Sequence, residues 1–275
     1  MTVRRSNRAL SLSPSRARDF MQCPLLYRFR AVDELPEPPS SAATRGTLVH
    51  SVLEKVFDLP TATRTLEKAQ AMVGPEWEEM LRKDPEVGQL FSTSEELSTW
   101  LDSAHKLVST WFNVENPQRL EPAEREKFVQ TTVGNGLKIR GIIDRVDVAP
   151  NGAIRIVDYK TGKAPRPHFQ ADTIFQMRFY ALVIWRTQGV IPAMLQLVFL
   201  GDGKVLRIEP TESQLKATEQ KILAIWEAIE RAARTGDWRP SPSRLCDWCH
   251  HKAICPAFEG TPPEPPENAL EKVVG

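Results

Sequence analysis

Residues 141–162 read GIIDRVDVAPNGAIRIVDYKTG, two apolar-rich segments joined through Pro150-Asn151-Gly152. Alternation places Ile154, Ile156, Asp158 and Lys160 on one face of a strand. Taking a carboxylate and an ammonium in beside isoleucines is costly without a purpose. The turn decides what they meet. As a three-residue loop, with Pro150 and Asn151 in a type I turn and Gly152 as the left-handed bulge residue, it pairs Ala149 with Ala153. Val148 then faces Ile154, Val146 faces Ile156, Asp147 faces Arg155, and Asp144 lies opposite Asp158. As a two-residue Asn151-Gly152 turn it would pair Asp144 with Tyr159 and separate the carboxylates. In the first register the carboxylates repel unless a proton or a cation lies between them, and a hard divalent ion such as Mg²⁺ suits the place. Lys160 then stands ready to orient or help deprotonate an attacking water beside a phosphodiester. The bland alternative is a structural pair, with Asp144 bonded to Arg145 and Lys160 exposed.

Outward from this stretch, the period-2 pattern predicts strands over 127–133, 137–148, 153–160 and 194–200 and a further strand ending at 208. Gly134-Asn135-Gly136 makes a hairpin turn. Period-3.6 patterns predict helices over 43–59, which carries His50, near 64–83 and 94–112, and over 171–187 and 212–234. Ser13-Pro14 starts another helix leading toward Cys23. The four prolines and absent aromatics of 260–275 predict a disordered tail.

The 275 residues carry 36 basic and 35 acidic side chains, so the net charge of +1 supplies no global sign of a nucleic-acid partner. Its distribution is uneven: the first 30 residues hold seven arginines against Asp19, and residues 31–135 are acidic. No apolar run reaches the roughly eighteen residues of a membrane span, and the N-terminus has no signal-peptide segment, so a cytoplasmic chain without membrane contact is expected. The G-x-x-x-x-G-K-[ST] phosphate loop is absent, so any unwinding is expected from a separate helicase.

Gly141-Ile142-Ile143-Asp144-Arg145-Val146-Asp147 and Ile156-Val157-Asp158-Tyr159-Lys160-Thr161-Gly162 resemble the two central motifs of the PD-(D/E)XK nuclease superfamily, in its RecB-like exonuclease branch. Gly46-Thr47-Leu48-Val49-His50 is similar to that branch's upstream helix, and Gln176-Met177-Arg178-Phe179-Tyr180 to its Gln-x-x-x-Tyr motif. The resemblance spans about residues 10–258. It implies a restriction-endonuclease-like α/β core, a mixed sheet with a three-stranded antiparallel meander and flanking helices, plus a helical cap stapled by cysteines. It implies one nuclease domain over 1–259, with a helical insertion at about 61–120. His50, Asp144, Asp158 and the Tyr159 carbonyl would hold Mg²⁺ or Mn²⁺, Lys160 would be the catalytic lysine, and Gln176 and Tyr180 would line the site and touch DNA. Read from the residues alone, His50 suits an ordinary core histidine, and Gln176 with Tyr180 an ordinary i, i+4 contact.

Cys246, Cys249 and Cys255 have the spacing C-x2-C-x5-C, and Cys23 lies far upstream. The arrangement resembles members of the same branch in which one N-terminal and three C-terminal cysteines hold a [4Fe-4S] cluster, here joining Cys23 to the region 240–258. Zn²⁺ completed by His250 or His251, a covalent haem at Cys246-x-x-Cys249-His250, and a redox pair are the competitors. The expected activity is metal-dependent hydrolysis of DNA, as an exonuclease on single-stranded or frayed ends in repair or recombination. Arg4, Arg5, Arg8, Arg16 and Arg18 are candidate backbone contacts, with a solvated tail as the plain alternative. The alternative functions are a CRISPR spacer-processing nuclease of the same family and a non-catalytic module that binds DNA ends.

Overall fold

A computed structural model describes residues 11–274; Arg4, Arg5 and Arg8 lie outside the described residues. The chain opens with α1 (Pro14–Gln22), whose N-cap Ser13 accepts from the Arg16 N–H and whose first residue is proline, and continues through α2 (Pro24–Tyr27). Helices α3 (Ser41–Val56), α4 (Leu66–Ala71), α5 (Val73–Lys83) and α6 (Ser94–Val114) follow. The predicted helix over 64–83 is two helices, because Pro75 has no N–H to donate back across Met72.

Next come β1 (Glu124–Val133), β2 (Leu137–Val148), β3 (Ile154–Lys160), α7 (Ala171–Gln188), β4 (Met194–Phe199), β5 (Lys204–Ile208) and α8 (Glu212–Thr235). The strands form one mixed sheet in chain order: β1, β2 and β3 make an antiparallel meander, β4 lies parallel to β3, and β5 returns antiparallel. A parallel neighbour requires a crossover, and α7 supplies it.

Alternation along β3 divides the core into two layers. Ile154 and Ile156 pack with α7, α8 and the N-terminal helices, while Val157 and Tyr159 face α3, α5 and α6. The loop at Pro150–Gly152 has three residues, with Gly152 at φ +82° and the Ala149 N–H donating to the Ala153 carbonyl at 2.9 Å. The register is therefore the one expected of the three-residue loop, with Val148 paired with Ile154, Asp147 with Arg155, Val146 with Ile156 and Arg145 with Val157, but the pairing ends there and the expected Asp144–Asp158 rung is not formed.

Past that last rung β2 and β3 part, and the freed edge of β2 takes Leu12, which bonds the Lys138 carbonyl and the Arg140 N–H at 3.0 Å each. That contact seats the start of α1 beside the sheet.

The C-terminal segment departs from the expected disorder. Helix α9 (Ala269–Val274) buries Ala269 and Val273 in the α7–α8 layer, and Lys272 Nζ donates to the Val32 carbonyl at 2.5 Å. The prolines of 262–266 dominate the composition, but Ala269 and Val273 share one helix face at i, i+4 and dock it.

Candidate active site

The site forms where β2 parts from β3. Instead of another backbone rung, the Asp144 carboxylate accepts the Tyr159 N–H at 2.7 Å. A side chain has taken the place of a ladder carbonyl, which fixes Asp144 at the strand fork and satisfies a buried donor.

On its other side β2 meets β1 with Arg125 opposite Arg145 and Lys127 opposite Ile143, so Glu126 falls on the rung of Asp144. Glu126 has φ +42°, a left-handed backbone uncommon for a non-glycine residue. The pleat changes face there. Val129, Val133, Ile139 and Ile143 pack into the α7 layer, whereas Arg145 turns to the α6 side and Val146 joins the α7 layer. The kink brings two carboxylates face to face, an arrangement that is unfavourable without a counter-charge.

His50 from α3 closes the group, its Nδ1 3.5 Å from Asp144 Oδ2. One donor atom each from His50, Glu126 and Asp144 lies within 4.8 Å of the others. The imidazole nitrogen and carboxylate oxygens suit Mg²⁺ or Mn²⁺. The electrostatics agree. Burial and then the Asp144 charge push the Glu126 carboxyl up to about 7. Burial works against a charged His50, but the Asp144 hydrogen bond and charge prevail and raise it above its ordinary value.

Asp158 is almost wholly buried, and its oxygens turn toward α7 and the strand end: Oδ1 accepts from Gln176 Nε2 at 3.0 Å, and Oδ2 lies 2.7 Å from Lys160 Nζ. Burial and the Asp144 charge raise it to about 6, against the pull of Lys160. Gln176 ties the group together, accepting from Lys160 at 2.9 Å and donating to the Tyr180 hydroxyl at 3.1 Å. The structure thus brings His50, Asp144, Asp158, Lys160, Gln176 and Tyr180 to one place. Tyr159 enters through its N–H to Asp144.

Glu126 escaped the sequence reading. Its signal was there, because the hairpin register continued one residue beyond the expected strand start reaches Asp144. Arg18 lines the cleft leading to Lys160, whereas Arg16 is half-buried and donates to the Ser11 carbonyl at 2.9 Å.

Beneath the site Arg145 is buried with a two-pronged bond to Glu115, 2.8 Å on each prong, and bonds to Asp147 and the Tyr159 hydroxyl. Trp111 and Gln196 also donate to Glu115. This network holds the ring of Tyr159, the residue whose N–H holds Asp144.

The sequence profile of the PD-(D/E)XK nuclease superfamily matches residues 11–256. The chain belongs to the PD-(D/E)XK nuclease superfamily. The mixed sheet with its flanking helices is that superfamily's restriction-endonuclease-like core, and the His50, Glu126 and Asp144 donors match a metal-dependent nuclease. Two phage proteins are similar along their length: the Gene 69 protein of Mycobacterium phage L5, 24% identical over 295 residues, and that of phage D29, 25% identical over 283. Each match covers 90% of this PD-(D/E)XK chain and 96% and 97% of the respective relative. Among solved structures, SSO0001 aligns at a TM-score of 0.40 and 15% identity, over 94% of this chain and 89% of that one, and adds nothing to the assignment.

The four cysteines are drawn from both ends of the chain to one pocket, which Phe29 and His251 also line. Among the described residues, no three of their sulfurs stand within 4.8 Å of one another. His251 Nε2 lies 2.8 Å from Glu37 Oε1, while the Ser241 and Ser243 N–H groups donate to Cys23 Sγ at 3.4 Å and Cys246 Sγ at 3.3 Å.

Among the described residues no helix is long and apolar enough to cross a membrane.

Proposed function

We propose that the protein is a metal-dependent exodeoxyribonuclease acting on single-stranded or frayed DNA ends in repair or recombination. The observation that carries the reading is the fork of β2 and β3, where Asp144, Asp158 and Lys160 converge with His50 and Glu126. His50, Glu126 and Asp144, with Asp158 beside them, would hold Mg²⁺ or Mn²⁺, which supplies charge stabilisation for the phosphodiester during hydrolysis. Lys160 holds its ammonium at the mouth of the fork, paired with Asp158 and aimed by Gln176, where it orients the attacking water and donates to a phosphate oxygen. Gln176 and Tyr180 hold Asp158 and Lys160 in register. Buried Asp158 stays beside Lys160 because its other oxygen is engaged by Gln176.

The cysteine pocket supports a [4Fe-4S] cluster joining Cys23 to Cys246, Cys249 and Cys255. Four thiols suit it, one pocket gathers all four, and N–H groups already donate to two of them. Its role would be to tie α1 and α2 to the C-terminal segment.

End-labelled single-stranded DNA incubated with the protein and Mn²⁺ tests the activity. Mono- or short oligonucleotides released from one end support the exonuclease, and long internal fragments overturn it. Turnover that persists in Asp158→Ala overturns the site. Unwinding of the duplex would fall to a separate helicase.

A further inference from the structure

Two clefts flank the catalytic fork, and their chemistries differ. One, on the α3 side, is lined by His50, Glu54 and Glu126 and is acidic. The other has a volume of about 500 Å³ and opens between the start of α1, the β1–β2 ribbon and α7, with Lys160, Gln176 and Tyr180 on its catalytic side. Arg18 and Arg140 line this second cleft, and neither has a carboxylate partner among the described residues; Asp172 is also in its wall. Phe128 and Ile142, paired across β1 and β2, also line it with 58% and 50% of their surfaces exposed. A large aromatic left in water beside unpaired arginines has no packing role to explain it. A polyanion with flat apolar faces matches the combination, since its phosphates answer the guanidinium groups and its bases the ring.

We propose that this cleft is a single-strand subsite in which Phe128, backed by Ile142, stacks one unpaired base while Arg18 and Arg140 hold the adjoining phosphates on one side of the scissile bond. The proposal rests on the nuclease reading of Asp144, Asp158 and Lys160, and deepens it by naming what selects the strand. A base inside a duplex has both faces covered by its neighbours and its edge engaged by its partner, so it cannot reach the ring, and the platform discriminates single strand from the interior of a duplex. The acidic cleft repels phosphates, so the grip falls on the basic flank. The seating of Leu12 on the edge of β2 brings Arg18 and Arg140 together, which makes the subsite a product of the tertiary fold.

The test measures binding by the full chain, in EDTA so that nothing turns over, of a fluorescein-labelled twelve-nucleotide oligothymidylate and of a blunt twelve-base-pair duplex. Phe128→Ala is expected to weaken oligothymidylate binding about tenfold and duplex binding less than about twofold, with Phe128→Trp restoring the first. Arg140→Gln is expected to weaken both probes and to lower the slope of log affinity against log salt for oligothymidylate by about 0.7. Phe128→Ala leaving oligothymidylate unchanged, or weakening both probes equally, overturns the subsite. Mn²⁺-dependent cleavage by wild type, lost in Asp158→Ala, is scored separately. Cleavage without the Phe128 effect removes the subsite alone, and the Phe128 effect without cleavage removes the nuclease reading alone.

Discussion

Gly141 and Tyr180 approach more closely than any side chain at 141 would permit: a Cβ there would stand 2.5 Å from Tyr180 Cε1. The ring of Tyr180 lies over the bare backbone of β2, and its hydroxyl accepts from Gln176, which in turn holds Asp158 and Lys160. Gly141→Ala must therefore push the ring and disturb Gln176. Activity is expected to fall about 10- to 100-fold while far-ultraviolet circular dichroism stays unchanged. Steady-state cleavage of labelled DNA beside a thermal melt checks this.

Glu126 is expected to hold metal, although only its position on the rung of Asp144 reveals it. Glu126→Gln keeps the shape and removes a charge, so Mn²⁺ affinity should drop on the order of tenfold. Titration calorimetry and the Mn²⁺ electron paramagnetic resonance signal read the loss without any turnover. Chelation with EDTA should abolish cleavage by wild type, and added Mn²⁺ should restore it.

Lys160→Gln removes the ammonium beside Asp158 and leaves a neutral hydrogen-bonding chain. The rate is expected to fall about 10²- to 10³-fold with DNA affinity changed less, because the lysine acts where charge develops. Single-turnover kinetics beside anisotropy separate the two effects.

The Arg145–Glu115 pair should govern acid stability. Burial pushes the Glu115 carboxyl up, but hydrogen bonds and charge from Arg145, with help from Trp111 and Tyr159, pull it below its ordinary 4.5. Its folded value is depressed, so its contribution is complete above 4.5 and is lost as the pH falls through the lower folded value. Glu115→Gln strips the buried guanidinium of its main partner and should cost about 3 kcal/mol at neutral pH, with a shallower decline below 4.5. Urea melts across the acid range measure both.

Cys23→Ser distinguishes the two metals of the cysteine pocket. A cluster that needs all four thiolates should lose its iron in Cys23→Ser and in Cys255→Ser alike. A local zinc site built from Cys246, Cys249, Cys255 and His250 would keep its metal in the first variant. Iron, zinc and acid-labile sulfide in anaerobically purified protein are the measurements, and one zinc without iron overturns the cluster.

Much of the sheet was legible because its determinants are local. The alternation of Ile154, Ile156 and Asp158 and the Pro150-Asn151-Gly152 loop set the β2–β3 register, and a one-residue slip would have moved Asp158 to the other face. Helix boundaries followed from caps such as Ser13 and from apolar spacing in α6 and α8. Glu126 was hidden because nothing local marks a glutamate for a left-handed backbone. Helix α9 was hidden because a single docked face weighs little against a run of prolines.

Pattern and turn chemistry in the sequence therefore determined the meander, the β2–β3 register that runs up to the fork at Asp144 and Asp158, and the grouping of three cysteines, since each depends on neighbours within one or two elements. Only the tertiary structure decided that Glu126 meets His50 and Asp144, that Asp158 turns to Lys160 and Gln176, that Cys23 reaches the other three cysteines, and that Arg18 rather than Arg16 lines the cleft. Those relations are distances between segments remote along the chain. They are set by the kink of the β1–β2 ribbon, the fork at Tyr159 and the docking of Leu12, none of which a local period encodes.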